Sequence, residues 1–374
     1  MSDSHRHIQR IVVKIGSSVL TDASGRLLSE RLEPLVEQVA ACAGSHRHVI
    51  LVSSGAIACG MAKLGLSRRP KALAQLQACA AIGQGELMQW YTRLFAQRNL
   101  LTAQVLLTQE DLSSRTRFRN AKQTLLTLLH RRVVPIINEN DTVAVEEITF
   151  GDNDRLAALV AAAVDAQLLV ILSDVDGFLQ NGKPLDRVES LQALQGHIDG
   201  TRSPKRHTTK GGMSSKLEAA RIVGHSGIPM VIANGLAPSV LTKLLGGQSI
   251  GTLFVPPRNR LTSKKWWIAF ALRRPKGMVL VDSGAAEALA ERHTSLLASG
   301  VQAVKGPFEA GAFVAVADSA GRELARGVCN YSSADLAEIR GLRSAEIAKR
   351  LGTSRVPEVI HRDHLVLTRE LHHG

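Results

Sequence analysis

The chain has 374 residues, of which 45% are hydrophobic, 21% are charged and only 3% are aromatic. This composition is close to that of globular proteins, so it excludes a disordered chain and predicts two or three domains with mostly aliphatic cores. No apolar run approaches the roughly 18 residues that a membrane-spanning helix needs. The four cysteines form no C-x-x-C pair, and residues 1–10 contain no apolar signal core. We therefore expect a protein of the reducing cytoplasm, without disulfides or a structural zinc site.

The chain is strongly basic, with 46 Lys and Arg against 33 Asp and Glu and a net charge of +13. Such a balance indicates an anionic partner: a nucleic acid, a nucleotide or an acidic substrate. The basic excess is unevenly distributed, because residues 275–374 contain 12 basic and 12 acidic side chains. The whole excess therefore lies in residues 1–274.

The first two-thirds of the chain alternates short apolar runs with longer helical patterns. Five near-continuous apolar runs predict strands that are buried on both faces. These runs lie at 11–15, 48–52, 133–137, 168–172 and 229–232. The clearest helix is predicted at 155–165, where apolar residues recur with the spacing of one helical face. This alternation predicts an α/β fold with a mostly parallel sheet sandwiched by helices.

The composition changes near residue 256. Residues 258–276 contain seven basic side chains, no acidic ones and the pair Trp266-Trp267. This segment is either a solvated linker or a segment that docks on the first domain through its tryptophans. After it, short strand-like runs and two short helical stretches predict a small, β-rich domain. We therefore divide the chain into a first domain at 1–257, a basic linker at 258–276 and a C-terminal domain at 277–374.

Polar or small residues follow the first four predicted strands, at the point where each strand ends. Ligands of open α/β sheets bind beyond the carboxyl ends of the strands, so these residues predict the site. The four segments are Gly16-Ser17-Ser18, Ser53-Ser54-Gly55-Ala56, Asn138-Glu139-Asn140-Asp141 and Ser173-Asp174-Val175-Asp176-Gly177. The Gly-Ser and Ser-Ser-Gly turns either cap helices or offer free N–H groups to an anion.

Two further polar segments precede predicted helices. The GDND segment at 151–154 is either a helix cap, with carboxylates that suit the helix dipole, or part of a site. The loop at 201–216 carries five basic residues and is either a solvated loop or a lid over a polyphosphate. Lys216 favours the lid, because a lysine in the first helical turn opposes the dipole unless an anion lies nearby. The chain lacks P-loop and Rossmann signatures, so any phosphate site here is of another kind.

Six segments occur in an order typical of one enzyme family: IVVKIGSSVLT, VILVSSGAIACG, VVPIINENDTV, FGDNDRLAALVA, LVILSDVDGF and KGGMSSKLEAA. On these segments the chain resembles the glutamate 5-kinases, a family within the amino-acid kinase superfamily. The segments VDSGAAEAL, SLLASGVQAVKGPFEAG, GRELARGVCNYSS and VIHRDHLVL resemble the PUA domain appended to these enzymes. The resemblance covers nearly the whole chain. It identifies 1–257 as an amino-acid kinase domain and 277–374 as a PUA-like domain.

The resemblance implies an activity with its substrates and partners. It implies ATP-dependent phosphorylation of the side-chain carboxylate of L-glutamate, which gives L-glutamyl 5-phosphate in the first step of proline synthesis. It also implies Mg²⁺ held mainly by the ATP phosphates, with no protein metal ligand. Feedback inhibition by proline and a homo-oligomer, either a dimer or a tetramer, are further expectations. RNA binding by the PUA-like domain is not expected, because the charges of this domain balance.

The resemblance also assigns roles to individual residues. Lys14 and Lys216 are expected to contact the phosphate groups, and Asp154 is expected to orient both lysines. The positions that match glutamate-binding residues are Ser54, Asp141, Asp152 and Asn153. The positions that match ATP-binding residues are Lys14, Ser173, Asp174, Lys210, Gly211, Gly212, Met213, Ser214, Ser215 and Lys216.

Two segments depart from the family pattern. Thr209-Lys210 stands where the family usually has Gly-Thr, and Gly177-Phe178-Leu179-Gln180 stands where it commonly has Gly-Leu-Tyr. We expect altered nucleotide contacts but an active enzyme, because the lysines and acidic residues of the pattern are present. Two alternatives stay open at this point. One is a kinase of the superfamily with a different acceptor, and the other is an RNA-binding protein that uses its PUA-like domain.

Overall fold

The structure is a computed structural model of the chain. It describes residues 8–22, 24, 26–143, 153–180, 182–194, 212–272, 274–351 and 357–372. The chain forms two compact units, Met1–Arg260 and Leu261–Gly374. None of the helices within the described ranges is both long enough and apolar enough to cross a membrane.

The first unit alternates strands and helices, as its hydrophobic pattern predicts. Its described strands are β1 (Arg10–Ile15), β2 (His48–Ser53), β3 (Thr102–Leu107), β4 (Val134–Glu139), β5 (Leu168–Ser173), β6 (Leu179–Gln180), β7 (Lys183–Pro184), β8 (Arg187–Val188), β9 (Met230–Asn234) and β10 (Thr252–Phe254). Its described helices are α1 (Ser17–Leu20), α2 (Ser29–Gly44), α3 (Ala56–Lys63), α4 (Leu73–Ala96), α5 (Gln109–Ser113), α6 (Arg115–His130), α7 (Asn153–Ala163), α8 (Met213–Gly224) and α9 (Val240–Leu245), with a 3₁₀ turn at Gln192–Leu194.

Eight of these strands form one sheet, in the order β3-β4-β2-β1-β5-β9-β10-β8. All of its neighbouring strands pair in parallel except β9 and β10. The sequence prediction of a mostly parallel sheet between helices is therefore confirmed. Strand β1 lies in the interior of this sheet, with β2 on one side and β5 on the other.

The two faces of β1 have different neighbours. Ile11, Val13 and Ile15 join an aliphatic core beneath α2, α4 and α9. Successive side chains of a strand point to opposite faces. Lys14 therefore points to the other face of the sheet, where α7 lies.

The second unit is β-rich, as expected. Its strands are β11 (Gly277–Val281), β12 (Leu296–Leu297), β13 (Val301–Lys305), β14 (Phe313–Ala317), β15 (Glu323–Val328), β16 (Glu358–Ile360) and β17 (Leu365–Leu367). Five of them form a sheet in the order β13-β11-β14-β15-β17, and β12 pairs with β16. The helical segments are α10 (Ser263–Trp266), a π-helix (Trp267–Ala271), α11 (Ser283–Arg292), α12 (Ser333–Ile339), α13 (Ser344–Leu351) and α14 (Thr368–His372), with 3₁₀ turns at Ala298–Gly300 and Arg362–His364.

The basic segment after residue 257 contains more structure than its composition indicates. Thr262 caps α10 by accepting a hydrogen bond from the Lys265 N–H. Trp266 and Ile268 are buried. Helix α10, which carries Trp266, packs against the 3₁₀ turn at Arg362–His364, and the π-helix, which carries Ile268, packs against β15 and β17. The division into 1–257, 258–276 and 277–374 stays a prediction.

Helices α3 and α4 pack unusually closely, because glycines face the backbone of the neighbouring helix. A Cβ atom at Gly83 would lie 1.8 Å from the Ala56 carbonyl oxygen, and one at Gly60 would lie 1.8 Å from the Cys79 carbonyl oxygen. Neither position has room for a side chain. Helix α3 begins directly after the segment Ser54-Gly55, so this contact also fixes the backbone that follows β2.

We predict that Gly83→Ala lowers the free energy of unfolding by about 1 to 3 kcal/mol, because the new methyl group must separate two helix backbones. Gly85→Ala is the matched control on the same helix, since a Cβ atom there meets nothing within 4 Å. It should stabilise the protein by roughly 0.5–1 kcal/mol, the usual gain in an exposed helix interior. Denaturant unfolding of both variants measures the difference. Equal midpoints would contradict the close helix contact.

Candidate active site

The polar segments after the strands gather at one edge of the sheet. Strands β4, β2, β1, β5 and β9 are neighbours in that order, and all run in parallel. Their carboxyl ends therefore meet at the same edge, which is where α/β sheets bind ligands. Lys14 on β1 lies level with Val52 of β2 and Ile171 of β5, one residue before this edge.

The centre of the site is a buried cluster of three charges. The Lys14 Nζ lies 2.6 Å from Asp154 Oδ1, and the Lys216 Nζ lies 3.1 Å from Asp154 Oδ2. Lys14, Asp154 and Lys216 are 4%, 0% and 5% exposed, respectively. The Ser215 hydroxyl donates a further hydrogen bond to Asp154 Oδ2, at 3.1 Å. The three charges leave one net positive charge at the edge of the sheet.

Helix ends explain where these groups sit. Asp154 lies in the first turn of α7, where a carboxylate is stabilised by the helix dipole. Lys216 lies near the start of α8, where the dipole disfavours a cation. The ion pair with Asp154 offsets that cost and holds the ammonium in place. A second ion pair, between Arg155 and Glu218, joins the same two helices next to the charge cluster.

A network of amides lies on the β2 and β4 side of this cluster. The Asn153 Nδ2 lies 2.9 Å from each of three acceptors: the Ser53 carbonyl, the Ser54 hydroxyl and Asn138 Oδ1. Since the Ser53 carbonyl can only accept, the amide nitrogen of Asn153 must face these groups. The two hydrogens of this nitrogen are shared among the three acceptors, one of which is the Ser54 Oγ.

Hydrogen bonds hold the Ser53 side chain in place. Its Oγ lies 2.9 Å from the Tyr91 hydroxyl and donates to the Ser54 carbonyl at 3.2 Å. Burial raises the pKa of the Tyr91 phenol, so this group stays protonated and donates to Ser53. These bonds connect the end of β2 to α4.

Glycines, which offer no capping side chain, precede three described helices of this unit, and two of these helices are α3 and α8. Gly55 precedes α3 with a φ of 107°, a left-handed conformation that favours glycine, and Gly212 precedes α8. The first N–H groups of a helix lack partners within the helix. Both helix starts can therefore donate hydrogen bonds to a phosphate or a carboxylate.

The β5 and β9 side of the cluster contains the predicted nucleotide residues. The Ser173 hydroxyl donates to Asp174 Oδ1 at 3.2 Å, and Asp174 is exposed. The loop that follows is fixed by the Asn234 Nδ2, which donates to Asp176 Oδ1 at 2.8 Å. The order of the strands thus places an amide-rich half and a Ser-Asp half on opposite sides of Lys14.

The structure brings most of the expected site residues to this edge. Lys14, Asp154 and Lys216 are in direct contact, and Asn153 contacts Ser54. Asp141 is half-buried in the turn after β4. Gly212, Met213, Ser214 and Ser215 form the cap and first turn of α8. The expected residues Asp152, Lys210 and Gly211 lie outside the described residues.

Asn138 and Ser53 belong to the site but were not among the expected site residues. Asn138 is 3% exposed and Ser53 is 0% exposed. Both lie in the polar segments that follow the predicted strands, so their position at the sheet edge was foreseeable. Their contacts with Asn153 and Tyr91 were not, because these partners are distant in sequence.

Carboxylates do not gather into a metal site in the part of the chain that the structure describes. No group of three or more His, Cys, Asp or Glu side chains there is placed to hold a metal ion. Both oxygens of Asp154 already face lysine ammonium groups.

Comparison with known proteins places this site in a family. Residues 9–234 match the sequence profile of the Amino acid kinase family, and residues 277–351 match that of the PUA domain. The glutamate 5-kinase of Caldanaerobacter subterraneus subsp. tengcongensis is 48% identical over 365 residues, which cover 96% of this chain and 97% of that protein. The glutamate 5-kinase of Thermus thermophilus is also 48% identical, over 369 residues that cover 97% of this chain and 98% of that protein.

Two UMP kinases are among the solved structures that match part of this chain. The enzyme from Ureaplasma parvum matches 67% of this chain and 100% of its own chain, with a TM-score of 0.45 and 14% identity. The enzyme from Bacillus anthracis has the same TM-score and identity and matches 96% of its own chain.

The profile match and the full-length relatives agree with the mostly parallel sheet of the first unit. The chain belongs to the amino acid kinase family and, within it, to the glutamate 5-kinases.

Proposed function

We propose that this protein transfers the γ-phosphoryl group of ATP to the side-chain carboxylate of L-glutamate. The product is L-glutamyl 5-phosphate, and the reaction is the first step of proline synthesis from glutamate. The observation that carries this proposal is the Lys14–Asp154–Lys216 cluster, which is buried at the sheet edge between an amide-rich half and a Ser-Asp half.

The reaction must bring two anions together. A carboxylate oxygen of glutamate attacks the γ-phosphorus of ATP, the bond from that phosphorus to the β–γ bridging oxygen breaks, and ADP leaves. Catalysis of phosphoryl transfer consists mostly of positioning and charge neutralisation. We assign the neutralising charge to Lys14 and Lys216, whose ammonium groups are held by Asp154 before any substrate binds.

The amide-rich half suits the amino acid. The Ser54 hydroxyl suits a substrate carboxylate, and the N–H groups at the start of α3 add further donors. Asp141 and Asp152 are anionic and suit the substrate ammonium. Asn153, whose nitrogen faces the protein, has its oxygen left for the substrate.

The other half suits the nucleotide. We assign Ser173 and Asp174 to ATP, together with the segment Lys210 to Lys216, which includes the start of α8. The free N–H groups of that helix and the Lys216 ammonium suit phosphate oxygens. Mg²⁺, bound mainly to the phosphates, supplies further charge neutralisation when it is present.

Further expectations follow from the family. We propose a cytoplasmic enzyme that is inhibited by proline and assembles as a homo-oligomer. We assign the PUA-like unit no role in RNA binding. In support of this, residues 275–374 carry 12 basic and 12 acidic side chains, so they lack the basic excess that binds nucleic-acid phosphates.

We predict that Lys14→Met and Lys216→Met each lower turnover by at least roughly 10²-fold, because each removes an ammonium group from the transition state. The assay contains ATP, Mg²⁺, L-glutamate and hydroxylamine, which traps the acyl phosphate as a hydroxamate. Lys243→Met is the matched control, since Lys243 is exposed on α9. Normal turnover in both site variants would contradict the mechanism, and hydroxamate formation only with another acceptor would contradict the substrate.

Stability and catalysis separate in this test. Lys216→Met leaves Asp154 paired with Lys14, so the buried cluster keeps a neutral ion pair. Asp154→Asn instead leaves two buried ammonium groups without a counter-charge, and breaking a buried ion pair in this way costs about 3–5 kcal/mol. We therefore expect Lys216→Met to unfold at a higher temperature than Asp154→Asn, although both variants are inactive. Normal activity in a folded Lys216→Met protein would show that the lysine serves only the fold.

We also predict that a chelator abolishes turnover, that excess Mg²⁺ restores it, and that the unfolding temperature of the nucleotide-free protein does not change. The reason is that the ion is held by ATP and not by a cluster of protein carboxylates. Calorimetry of the protein with and without chelator is the measurement. A lower unfolding temperature in the chelator would reveal a protein-bound metal and contradict this assignment.

A further inference from the structure

Helix α4 contains a polar side chain where its pattern calls for an apolar one. Its buried residues are Cys79, Ala80, Gly83, Gln84, Leu87, Tyr91, Leu94 and Phe95. They recur every three or four positions and form the face that packs on the core. Gln84 lies within this face and is 8% exposed.

Within the described residues, the side chain of Gln84 makes one hydrogen bond, and that bond leads to the site. Its Oε1 accepts from the Asn138 Nδ2 at 2.7 Å. The Asn138 Oδ1 accepts from the Glu139 N–H at 2.9 Å and from the Asn153 Nδ2 at 2.9 Å. Because a backbone N–H can only donate, the Glu139 bond fixes which end of the Asn138 amide is the oxygen.

The directions of these bonds therefore form one chain. The Asn138 nitrogen must face α4, where Gln84 offers an acceptor. The Asn138 oxygen must face Asn153, whose nitrogen in turn contacts Ser54. A donor in place of the Gln84 oxygen would oppose the Asn138 nitrogen and favour the reversed amide.

Gln84 lowers the stability of the fold in a way that an apolar residue would not. Its Nε2 is buried and has no hydrogen-bond partner within the part of the chain that the structure describes. A buried donor without a partner is destabilising. Leucine or methionine at this position would fit the apolar face of α4 without leaving that donor. What the glutamine provides, and leucine or methionine would not, is the acceptor for the Asn138 amide nitrogen.

We propose that Gln84 is a positioning residue for the acceptor substrate: it fixes the Asn138 amide, which aims Asn153 and Ser54 at the bound glutamate. This assignment rests on the proposed function. Its effect is confined to one half of the site, because Asn138 lies near the end of β4 and Ser54 directly follows β2, whereas Ser173 lies at the end of β5. Gln84 itself does not touch the substrate.

The test compares Gln84→Met with Leu87→Met, which changes the same buried face of the same helix and removes no hydrogen bond. We expect Gln84→Met to raise the KM for glutamate by about tenfold, which corresponds to about 1.4 kcal/mol. We expect the KM for ATP to stay within about twofold of the wild-type value. Leu87→Met should leave both constants close to wild type.

A double variant tests whether Gln84 acts through Asn138. In an Asn138→Ala background, Gln84→Met should raise the KM for glutamate no further, because the amide that it orients is absent. If Gln84→Met does not fold, Gln84→Asn decides the question, since the shorter side chain withdraws its oxygen from Asn138. The expected selective rise is the same.

Two results would overturn the assignment. One is an equal change of both KM values, which would indicate a general loosening of the site. The other is an unchanged KM for glutamate in a folded Gln84 variant. Wild-type protein that forms no hydroxamate with glutamate would instead contradict the proposed function itself.

Discussion

The carboxylate of Asp154 lies fully buried between the ammonium groups of Lys14 and Lys216, at 2.6 and 3.1 Å. Burying charges is costly, and apolar residues of similar size often replace a buried ion pair without loss of stability. The cluster is therefore poor evidence for stability and good evidence for function. It keeps two cations fixed at the sheet edge, and we propose that these cations neutralise the two anionic substrates.

The order of the strands turns this cluster into a two-sided site. Strand β1 carries Lys14 in the interior of the parallel sheet. The next three strands of the chain, β2, β3 and β4, lie on one side of β1, and β5 lies on the other side. The half that we assign to the acceptor thus lies at the ends of β2 and β4, and the half that we assign to the nucleotide lies at the end of β5. Helix α7 brings Asp154 to the cluster and Asn153 to the amides, so consecutive residues serve both parts.

The sequence predicted the buried parts of this fold well. The five apolar runs became β1, β2, β4, β5 and β9, because strands covered on both faces must be apolar throughout. Strand β3 escaped prediction, since it lies at the edge of the sheet and most of its side chains are partly exposed.

The sequence allowed us to predict which residues form the candidate site, but not which of them contact one another. Strand ends and helix starts single out Ser54, Asn153 and Lys216, and the family resemblance gave them roles. The contact between Lys14 and Asp154 depends on how α7 packs on β1, and no local sequence pattern encodes that packing. Gln84 did leave a local signal, a polar residue on an apolar helical face, but its meaning depends on the amide across the interface.

The most direct test of the account follows the oxygen atoms of glutamate. The enzyme is supplied with ATP and with L-glutamate that carries ¹⁸O in its side-chain carboxylate, and the acyl phosphate is trapped with hydroxylamine. Hydroxylamine attacks the acyl carbon, so the released phosphate keeps the oxygen that bridged carbon and phosphorus. We predict one labelled oxygen atom in each phosphate. Unlabelled phosphate, released in step with ADP, would contradict attack by the glutamate carboxylate on the γ-phosphorus.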